Sequence, residues 1–451
     1  MPVPTATVAT KKAARGATNV PTPSFDVTTH HLDNGLTVVL SPDKAAPSVA
    51  VVAAYDVGFR SEPQGWTGFA HLFEHLMFQG SHSLERGVHG ELVQRNGGTL
   101  NGFTRPDVTV YYEELPAHAL ELGIYLEADR MRSPRITPEN LQNQIDVVKE
   151  EIKVNVMNAP YGGFPWILMP PVIFDDFNNS HNGYGSFVDL DSASIEQAST
   201  FFQQYYAPGN ATLVIAGAFD PAHALELVKA HFGDIPARPT PKLPSFAEPL
   251  LTSQRRHVHT DPMAPFPALA IGYRCPDPIA NLDGALALGF ALDVLTEGQA
   301  SRLHQRLVSR DHLAIQVGGQ MGIFGDVYDY RDPIPVHILA FHPGGPADAV
   351  IAAVDEEIAI VAAGVTEDDV SPVRIANIAG VLRRVDGITG RATLLARLQM
   401  LRGDASLINS LTLDYAAITP EDVSGAAATW LTPDARAILE VVPAAAEGAD
   451  Q

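Results

Sequence analysis

The chain has 451 residues, which is too long for a single hydrophobic core and predicts two domains or more. Its 46% hydrophobic and 18% charged residues are the balance of a globular protein and exclude an intrinsically disordered one. The formal net charge of −22 argues against nucleic acid and against an anionic membrane as partners, because both bind clustered Lys and Arg. The same charge suits cationic peptides, or it is simply a solubilising surface.

Residues 1–25 are rich in Pro, Thr and Ala and predict a flexible N-terminal tail. They lack the apolar core of a secretory signal, and no segment approaches the ~18 uncharged apolar residues of a membrane span. We therefore expect a cytoplasmic protein with no membrane partner. Cys275 is the only cysteine, which excludes an internal disulfide and a cysteine-based zinc site.

Strand-type apolar runs open each half of the chain: LTVVL and SVAVVAAYDVG in the first, ALAIGYRC in the second. Each half continues into helical patterns and ends on another strand, so the order suggests two copies of one α+β unit. Between the halves, residues 232–251 carry five prolines and predict a linker. The predicted domains span 26–231 and 252–443, followed by a C-terminal tail over 444–451.

Residues 71–75 of the first domain read HLFEH. On a helix, His71 and His75 lie one turn apart on the same face, the geometry with which two imidazoles share a zinc ion. Glu74 lies beside them and can take a proton from a metal-activated water. The order H-x-x-E-H is that of the inverted zincins. The pattern predicts a catalytic zinc site with Glu74 as the general base.

A catalytic zinc needs a third protein ligand. Residues 142–155, QNQIDVVKEEIKVN, predict an amphipathic helix in which Glu151 shares an interior face with Val147, Val148 and Val154. A carboxylate on an apolar face is costly unless it is paired or bound to a metal. The alternative is a buried Glu held by a lysine or by backbone amides. With the histidine pair in the same domain, we favour Glu151 as the third ligand, and Glu150 as a solvated residue.

Beyond these residues, the first half resembles the pitrilysin-type inverted zincin peptidases, which include the mitochondrial processing peptidases and insulin-degrading enzyme. The likeness rests on HLFEH, on VVKEE at the family's separation, and on LDNGLTVVL (32–40), NGGTLNGFTRPDVTVYYEELP (96–116) and FFQQYYAPGNATLVIAGAFDP (201–221). The resemblance implies an α+β fold, in which two related α/β-sandwich domains form half of a clam-shell chamber. It also implies one Zn²⁺ per chain and hydrolysis of peptide bonds.

The resemblance further implies a strand that binds substrate. Residues 96–104 match the family's edge strand, to which an extended peptide is added by backbone hydrogen bonds. The expected substrate-binding residues are Gly98, Thr99, Asn101 and Thr104: glycine lets a backbone approach closely, and Asn101 and Thr104 offer side-chain hydrogen bonds. The alternative is a plain β-turn before a strand.

Two departures from the family's pattern bear on function. Where the family often has a second Glu supporting the zinc site, this chain has Gln144, which can hydrogen-bond but holds no charge. Val308 and Ile315 stand where members that work alone have an Arg and a Tyr that bind substrate, and neither side chain donates a hydrogen bond. The chain thus resembles the zinc-bearing subunit of two-subunit members, whose homologous partner lacks zinc ligands and supplies that pair.

Three functions remain open on the sequence alone. The first is a zinc endopeptidase that cleaves short or unfolded peptides as the catalytic half of a heterodimer, with a homodimer as a variant. The second is a non-catalytic structural subunit of a family complex. The third is a zinc-dependent peptide-binding protein without turnover, which Val308 and Ile315 would suit. The complete set of His71, Glu74, His75 and Glu151 favours the first.

Overall fold

The computed structural model describes residues 20–275 and 277–444, so the predicted tails lie largely outside the described part of the chain. The described residues form a mixture of helices and two sheets, each sheet built from one half of the sequence. The predicted α+β fold with two sheet-based domains is confirmed.

The first sheet has six strands: β1 (Thr28–His31), β2 (Thr37–Pro42), β3 (Ser48–Tyr55), β4 (Thr99–Thr104), β5 (Thr109–Pro116) and β6 (Ala211–Gly217). Their spatial order is β1-β2-β6-β3-β5-β4. Strands β2 and β6 are parallel, and the other neighbours are antiparallel. Strand β4 is therefore an edge strand, paired with β5 on one side only among the described strands.

The second sheet has five strands: β7 (Arg255–Asp261), β8 (Ala268–Cys275), β9 (Gln316–Met321), β10 (Ile334–Phe341) and β11 (Arg436–Pro443). Their order is β7-β11-β8-β10-β9, with a parallel β7–β11 pair and antiparallel neighbours elsewhere. Apart from β1, the two sheets have the same strand order and the same directions. The two halves are therefore copies of one topology, as the parallel order of their sequence patterns suggested.

The helices complete the two units. Those of the first half are α1 (Phe69–Leu76), α2 (Val88–Arg95), α3 (Leu120–Arg132), α4 (Pro138–Ile152), α5 (Pro170–Ile173), α6 (Phe177–Ser180), α7 (Phe187–Ser192), α8 (Ile195–Tyr205) and α9 (Pro221–Phe232). Those of the second half are α10 (Leu282–Thr296), α11 (Ala347–Ala363), α12 (Glu367–Asp386), α13 (Ile388–Arg402), α14 (Leu411–Ala416) and α15 (Pro420–Trp430). Residues 233–254, which include most of the Pro-rich segment, form neither helix nor strand.

Each half lends a helix to the other's sheet. Helix α13 of the second half packs on β3 and β6 of the first, and α5 of the first half packs on β8 and β11 of the second. Successive residues of a strand point to opposite faces, so Val49 and Val51 enter the core of the first half while Ala50 and Val52 enter the core around α13. A strand covered on both faces reads as an unbroken apolar run, which explains SVAVVAAY.

A buried ion pair also joins the halves close to α1. The guanidinium of Arg60 binds both carboxylate oxygens of Asp107, at 2.8 and 2.5 Å. Arg60 also donates to the backbone oxygens of Arg331 and Pro333, each at 3.2 Å, in the loop between β9 and β10. The backbone N–H of Arg331 donates to Asp107 in return. This network fixes a loop of the second half against the first.

Candidate zinc site

Helix α1 carries the HLFEH motif with its polar residues on one side. The opposite side is buried in the core of the first half and consists of Phe69, Ala70, Leu72, Phe73 and Leu76. His71, Glu74 and His75 are only partly buried. The helix therefore presents His71, Glu74 and His75 away from the core, as their spacing predicts.

The carboxylate of Glu62 holds the start of α1. It accepts hydrogen bonds from the backbone N–H groups of Gly68, at 2.8 Å, and Ala70, at 2.7 Å. An anion at this position satisfies free N–H groups and suits the helix dipole. Gly68 has φ of 90°, and a Cβ there would lie 2.7 Å from the backbone oxygen of Tyr184, so the position requires glycine.

His181 belongs to this anchoring group and is not among the convergent ligands. Its Nε2 lies 2.7 Å from the backbone oxygen of Phe59 and 3.2 Å from the carboxylate of Glu62. Burial opposes the charged form of the ring, but Glu62 outweighs it and raises the pKa of His181.

His71, His75 and Glu151 bring three ligand atoms to one point. The two Nε2 atoms are 3.3 Å apart, and the Glu151 Oε2 lies 3.6 Å from each. Within residues 20–275 and 277–444, this is the one group of three or more His, Cys, Asp or Glu side chains whose ligand atoms converge in this way. His75 and Glu151 are separated by 75 residues in the sequence, and the packing of α1 against α4 brings them together.

The triangle fits a tetrahedral zinc ion. Ligands bound at 2.0–2.2 Å around a tetrahedral zinc lie about 3.3–3.6 Å from one another, which matches the three observed distances. Burial and the neighbouring His75 lower the pKa of His71 to about 4, so its imidazole is neutral at pH 7, as a zinc ligand must be. Hydrogen bonding to His75 lowers the pKa of Glu151, which favours the carboxylate form.

Glu74 lies beside the triangle without being part of it. Its Oε2 accepts a hydrogen bond from the hydroxyl of Thr104 at 2.8 Å. Burial raises the pKa of Glu74, and the Thr104 hydrogen bond and His75 partly offset that rise. A carboxylate with a raised pKa is a better proton acceptor near neutral pH, which is the property required of a general base.

Helix α4 presents Glu151 differently from the prediction. Val147 and Val154 are 41% and 58% exposed, so the predicted interior face through these two valines is wrong. The buried stripe instead runs through Leu141, Gln144, Ile145, Val148 and Ile152, and Glu151 lies half-exposed at its border. The α-helix also ends at Ile152 and continues as a π-helical turn over Lys153–Met157, which breaks the assumed spacing. Glu150 is exposed beside Lys153, as predicted.

Tyr184 completes the surroundings of the ligands. Its ring meets the ring of His71 edge-on, with centroids 5.3 Å apart. Its hydroxyl lies beside Glu151 and Asn155 of the π-helical turn; burial and then the nearby carboxylates raise the pKa of Tyr184. A protonated phenol in this place donates toward Glu151 and orients it.

The predicted substrate-binding residues lie on or next to edge strand β4. Thr99 and Asn101 are exposed, and the Asn101 side chain accepts a hydrogen bond from the N–H of Gly102. A Cβ on Gly98 would lie 2.5 Å from Leu115, so packing within the sheet already requires this glycine. The hydroxyl of Thr104 is directed to Glu74, where it orients the proposed base. The free edge of β4 remains open to a peptide.

The two departures noted in the sequence have definite surroundings. Gln144 is buried and donates to the side chain of Asn143 at 2.8 Å. Val308 packs against the core of the second half, and Ile315 is exposed. The nearby arginines of residues 302–310 are held in ion pairs with acidic residues of the second half.

A cavity of about 190 Å³ adjoins Glu74 and His71, and several of its lining residues have no motif in the sequence. Phe59, Arg105 and Phe324 are among them. Phe324 belongs to the second half, and the chain fold alone brings it to the site. No sequence pattern predicted a role for Tyr184 or Glu62. The clustering of aromatic and glycine residues in NGYGS was the one local signal for Tyr184.

Comparison with known families extends the likeness to most of the chain. Residues 37–161 match the family model described as insulinase, peptidase family M16. Residues 192–376 match the model described as peptidase M16 inactive domain. Together the two models match a part of each half.

Two curated relatives carry zinc protease names. The chain is 29% identical to the zinc protease PqqE of Helicobacter pylori over 298 residues, which are 63% of this chain and 64% of that protein. The match thus spans less than two thirds of that relative's length. It is 28% identical to an uncharacterized zinc protease of Mycobacterium leprae over 367 residues, which are 80% of this chain and 77% of that protein.

Solved structures share the fold. A protease from Helicobacter pylori superposes with a TM-score of 0.85 at 22% identity, covering 94% of this chain and 100% of that one. A putative M16-like peptidase from Alicyclobacillus acidocaldarius gives a TM-score of 0.77 at 18% identity, with 94% and 100% coverage.

None of the helices in the described residues is both long enough and apolar enough to cross a membrane.

The matches to both M16 models, the relatives and the shared fold lead to one conclusion. The chain belongs to the insulinase-like peptidase family M16.

Proposed function

We propose that this chain is a zinc-dependent endopeptidase that cleaves short or unfolded peptides. The observation that carries the proposal is the convergence of His71, His75 and Glu151 within 4.8 Å, with Glu74 held beside them by Thr104. Two imidazoles and a carboxylate are the donor set of many hydrolytic zinc sites.

The roles of the residues follow from their positions. His71, His75 and Glu151 would hold the ion, and Tyr184 orients Glu151. When bound, zinc supplies a Lewis acid that polarises a carbonyl and makes water more acidic. Glu74 takes the proton from the attacking water and delivers it to the nitrogen of the leaving amine. Thr104 keeps the Glu74 carboxylate turned toward that water.

Substrate binding is proposed at the open edge of β4. An extended peptide that pairs with this strand would place its backbone beside Glu74, because Thr104 ends the strand and binds that carboxylate. Thr99 and Asn101 are exposed along the same edge. Gly98 leaves the start of the strand without a side chain. Backbone pairing requires an extended chain, which restricts substrates to unfolded or short peptides.

We further propose that a homologous partner completes the site. Val308 packs against the core of the second half, and neither Val308 nor Ile315 has a hydrogen-bond donor in its side chain. Neither therefore contributes the polar groups that bind substrate in members that work alone. One relative, 25% identical over 244 residues, is named mitochondrial-processing peptidase subunit beta, and this name describes one subunit of an assembly. The proposed partner supplies the Arg and Tyr.

The test is a comparison of Glu74→Gln with the unaltered chain. The unaltered chain should cleave an unstructured fluorogenic peptide slowly when alone and faster with the partner. The Glu74→Gln chain should keep its zinc and lose at least a hundredfold in turnover, since a positioned general base contributes about 10²–10⁴. Bound zinc without cleavage under any condition would contradict the peptidase and favour a peptide-binding subunit. Rapid cleavage by the lone chain would contradict the proposal that a partner completes the site.

A further inference from the structure

The cavity beside Glu74 has the size of one substrate side chain. Its volume is about 190 Å³, and a cavity of about 150 Å³ already accommodates a benzene ring. Glu74 and His71 are among its lining residues, and in the proposed function the peptide bond is cleaved beside them. Phe59, Phe103 and Phe324 contribute the apolar walls. A side chain next to the cleaved bond would therefore enter it.

The walls are held in place by contacts on both halves of the chain. Phe59 and Phe324 meet edge-on with ring centroids 5.8 Å apart. The hydroxyl of Tyr330 accepts a hydrogen bond from the backbone N–H of Ile323 at 2.8 Å and so fixes the loop that carries Phe324. The Arg60–Asp107 pair fixes the residue next to Phe59. The cavity is thus preorganised.

Arg105 places a positive charge in this cavity. Its guanidinium stacks on the ring of Phe103, 4.7 Å from the ring centroid, and the residue as a whole is half-buried. It forms no ion pair or side-chain hydrogen bond with any residue that the structure describes. Asp107, two positions along the chain, is already bound through both oxygens by Arg60. The Arg105 guanidinium is therefore free to bind an anion.

We propose that Arg105 is a specificity-determining residue that binds a carboxylate of the peptide substrate. A guanidinium pairs with a carboxylate through two parallel hydrogen bonds, and such a bond gains strength among apolar walls. The methylene groups of an acidic side chain would pack on the phenylalanine rings while its carboxylate reaches Arg105. This inference rests on the proposed function, since it assumes a peptide at the site. The net charge of the chain suits cationic peptides, but Arg105 would repel a cationic side chain that enters this cavity.

Two sources of the carboxylate share this chemistry. One is an Asp or Glu side chain within the peptide, and the other is the free carboxylate at a peptide's C-terminus. The second would restrict cleavage to bonds near the end of the substrate. Matched peptides with an acid or an amide at the C-terminus separate the two.

The experiment measures peptide binding to the zinc-loaded Glu74→Gln chain by fluorescence anisotropy, so that cleavage does not interfere. The peptides share one unstructured sequence in which Glu replaces Gln at each position in turn, with a C-terminal acid or amide. We expect one carboxylate to tighten binding by about tenfold or more. Adding Arg105→Gln should abolish this preference, Arg105→Lys should retain part of it, and Arg105→Glu should transfer it to Lys. Arg135→Gln, which removes an exposed cation, is the matched control.

Three results would overturn the proposal. In the first, the preference for a carboxylate is equal with and without Arg105. In the second, Arg105→Gln weakens all peptides equally, as expected of a residue that only packs on Phe103. In the third, no peptide binds. A carboxylate preference that depends on Arg105, in a chain that never cleaves, would uphold this site and contradict the peptidase, so the two failures are distinguishable.

Discussion

Two of the groups in the first half that combine histidine and glutamate differ in what balances their negative charge. In one, Glu113 and Glu127 are buried against the guanidinium of Arg130, and His89 bonds to Glu113 at 2.7 Å. In the other, Glu151 faces the Nε2 atoms of two histidines. No Lys or Arg within residues 20–275 and 277–444 forms an ion pair with Glu151 or Glu74.

Residue type alone therefore does not identify a metal site in this chain. Both clusters combine His and Glu, and buried carboxylates need a counter-charge in either place. The protein supplies that charge itself through Arg130 in the first cluster. In the second, two ring nitrogens and a carboxylate oxygen point to one place without a protein cation. A cation from solution is therefore the expected counter-charge there.

Removing Arg130 should have the largest effect on stability. Arg130→Met leaves Glu113 and Glu127 buried without their cation, which should cost about 3–5 kcal/mol and lower the midpoint of thermal unfolding. Arg132→Met is the control, because its pair with Asp234 is exposed and contributes about 1 kcal/mol or less. Equal midpoints for the two variants would mean that Arg130 is not the required counter-charge.

Removing the Thr104 hydroxyl should affect catalysis and leave the fold intact. Thr104→Val deletes a hydrogen bond to a carboxylate, so kcat/KM should fall about tenfold to a hundredfold. Because that bond holds the pKa of Glu74 down, the acid limb of the pH–rate profile should also move to higher pH. Thr104→Ser retains the hydroxyl and should behave like the unaltered chain. Unchanged kinetics in Thr104→Val would remove Thr104 from the site.

Replacing His89, the histidine of the Arg130 cluster, should have a smaller effect on stability that depends on pH. Burial, and then Arg130, lower the pKa of His89 to about 3 from its ordinary 6.5. Between these values the unfolded chain binds a proton that the folded chain does not, so stability falls as the pH falls from about 6.5 toward 3.

His89→Gln keeps a donor for Glu113 and does not titrate. The loss of unfolding free energy between pH 7 and pH 5 should therefore be smaller in His89→Gln than in the unaltered chain. His82→Gln, at an exposed position, is the control. The same loss in all three chains would contradict a neutral, buried His89.

The motif-bearing elements were predictable because their spacing is short. HLFEH fixes His71, Glu74 and His75 on one helix face, and alternating or continuous apolar runs marked β2, β3, β6, β8 and β11. The duplicated order of patterns anticipated the duplicated sheet topology. The family resemblance placed the edge strand β4, which no local pattern distinguished from an ordinary strand.

The parts of the fold and the site that the sequence did not predict depend on contacts between segments distant in the chain. Glu151 lies beside the histidines in the structure, but the interior face predicted for it is partly wrong, because the π-helical turn after Ile152 exposes Val154. Phe324 reaches the cavity only because the β9–β10 loop is fixed against the first half. The exchange of α13 and α5 between the sheets likewise has no signal in a single segment.

The zinc content of the purified chain tests the central claim most directly. After dialysis against a weak chelator, mass spectrometry should find one zinc per chain in the unaltered protein and in Glu74→Gln, and far less in Glu151→Gln. This result would establish that His71, His75 and Glu151 hold the ion while Glu74 does not. An unaltered chain without zinc, or a Glu151→Gln chain that keeps it in full, would contradict the account.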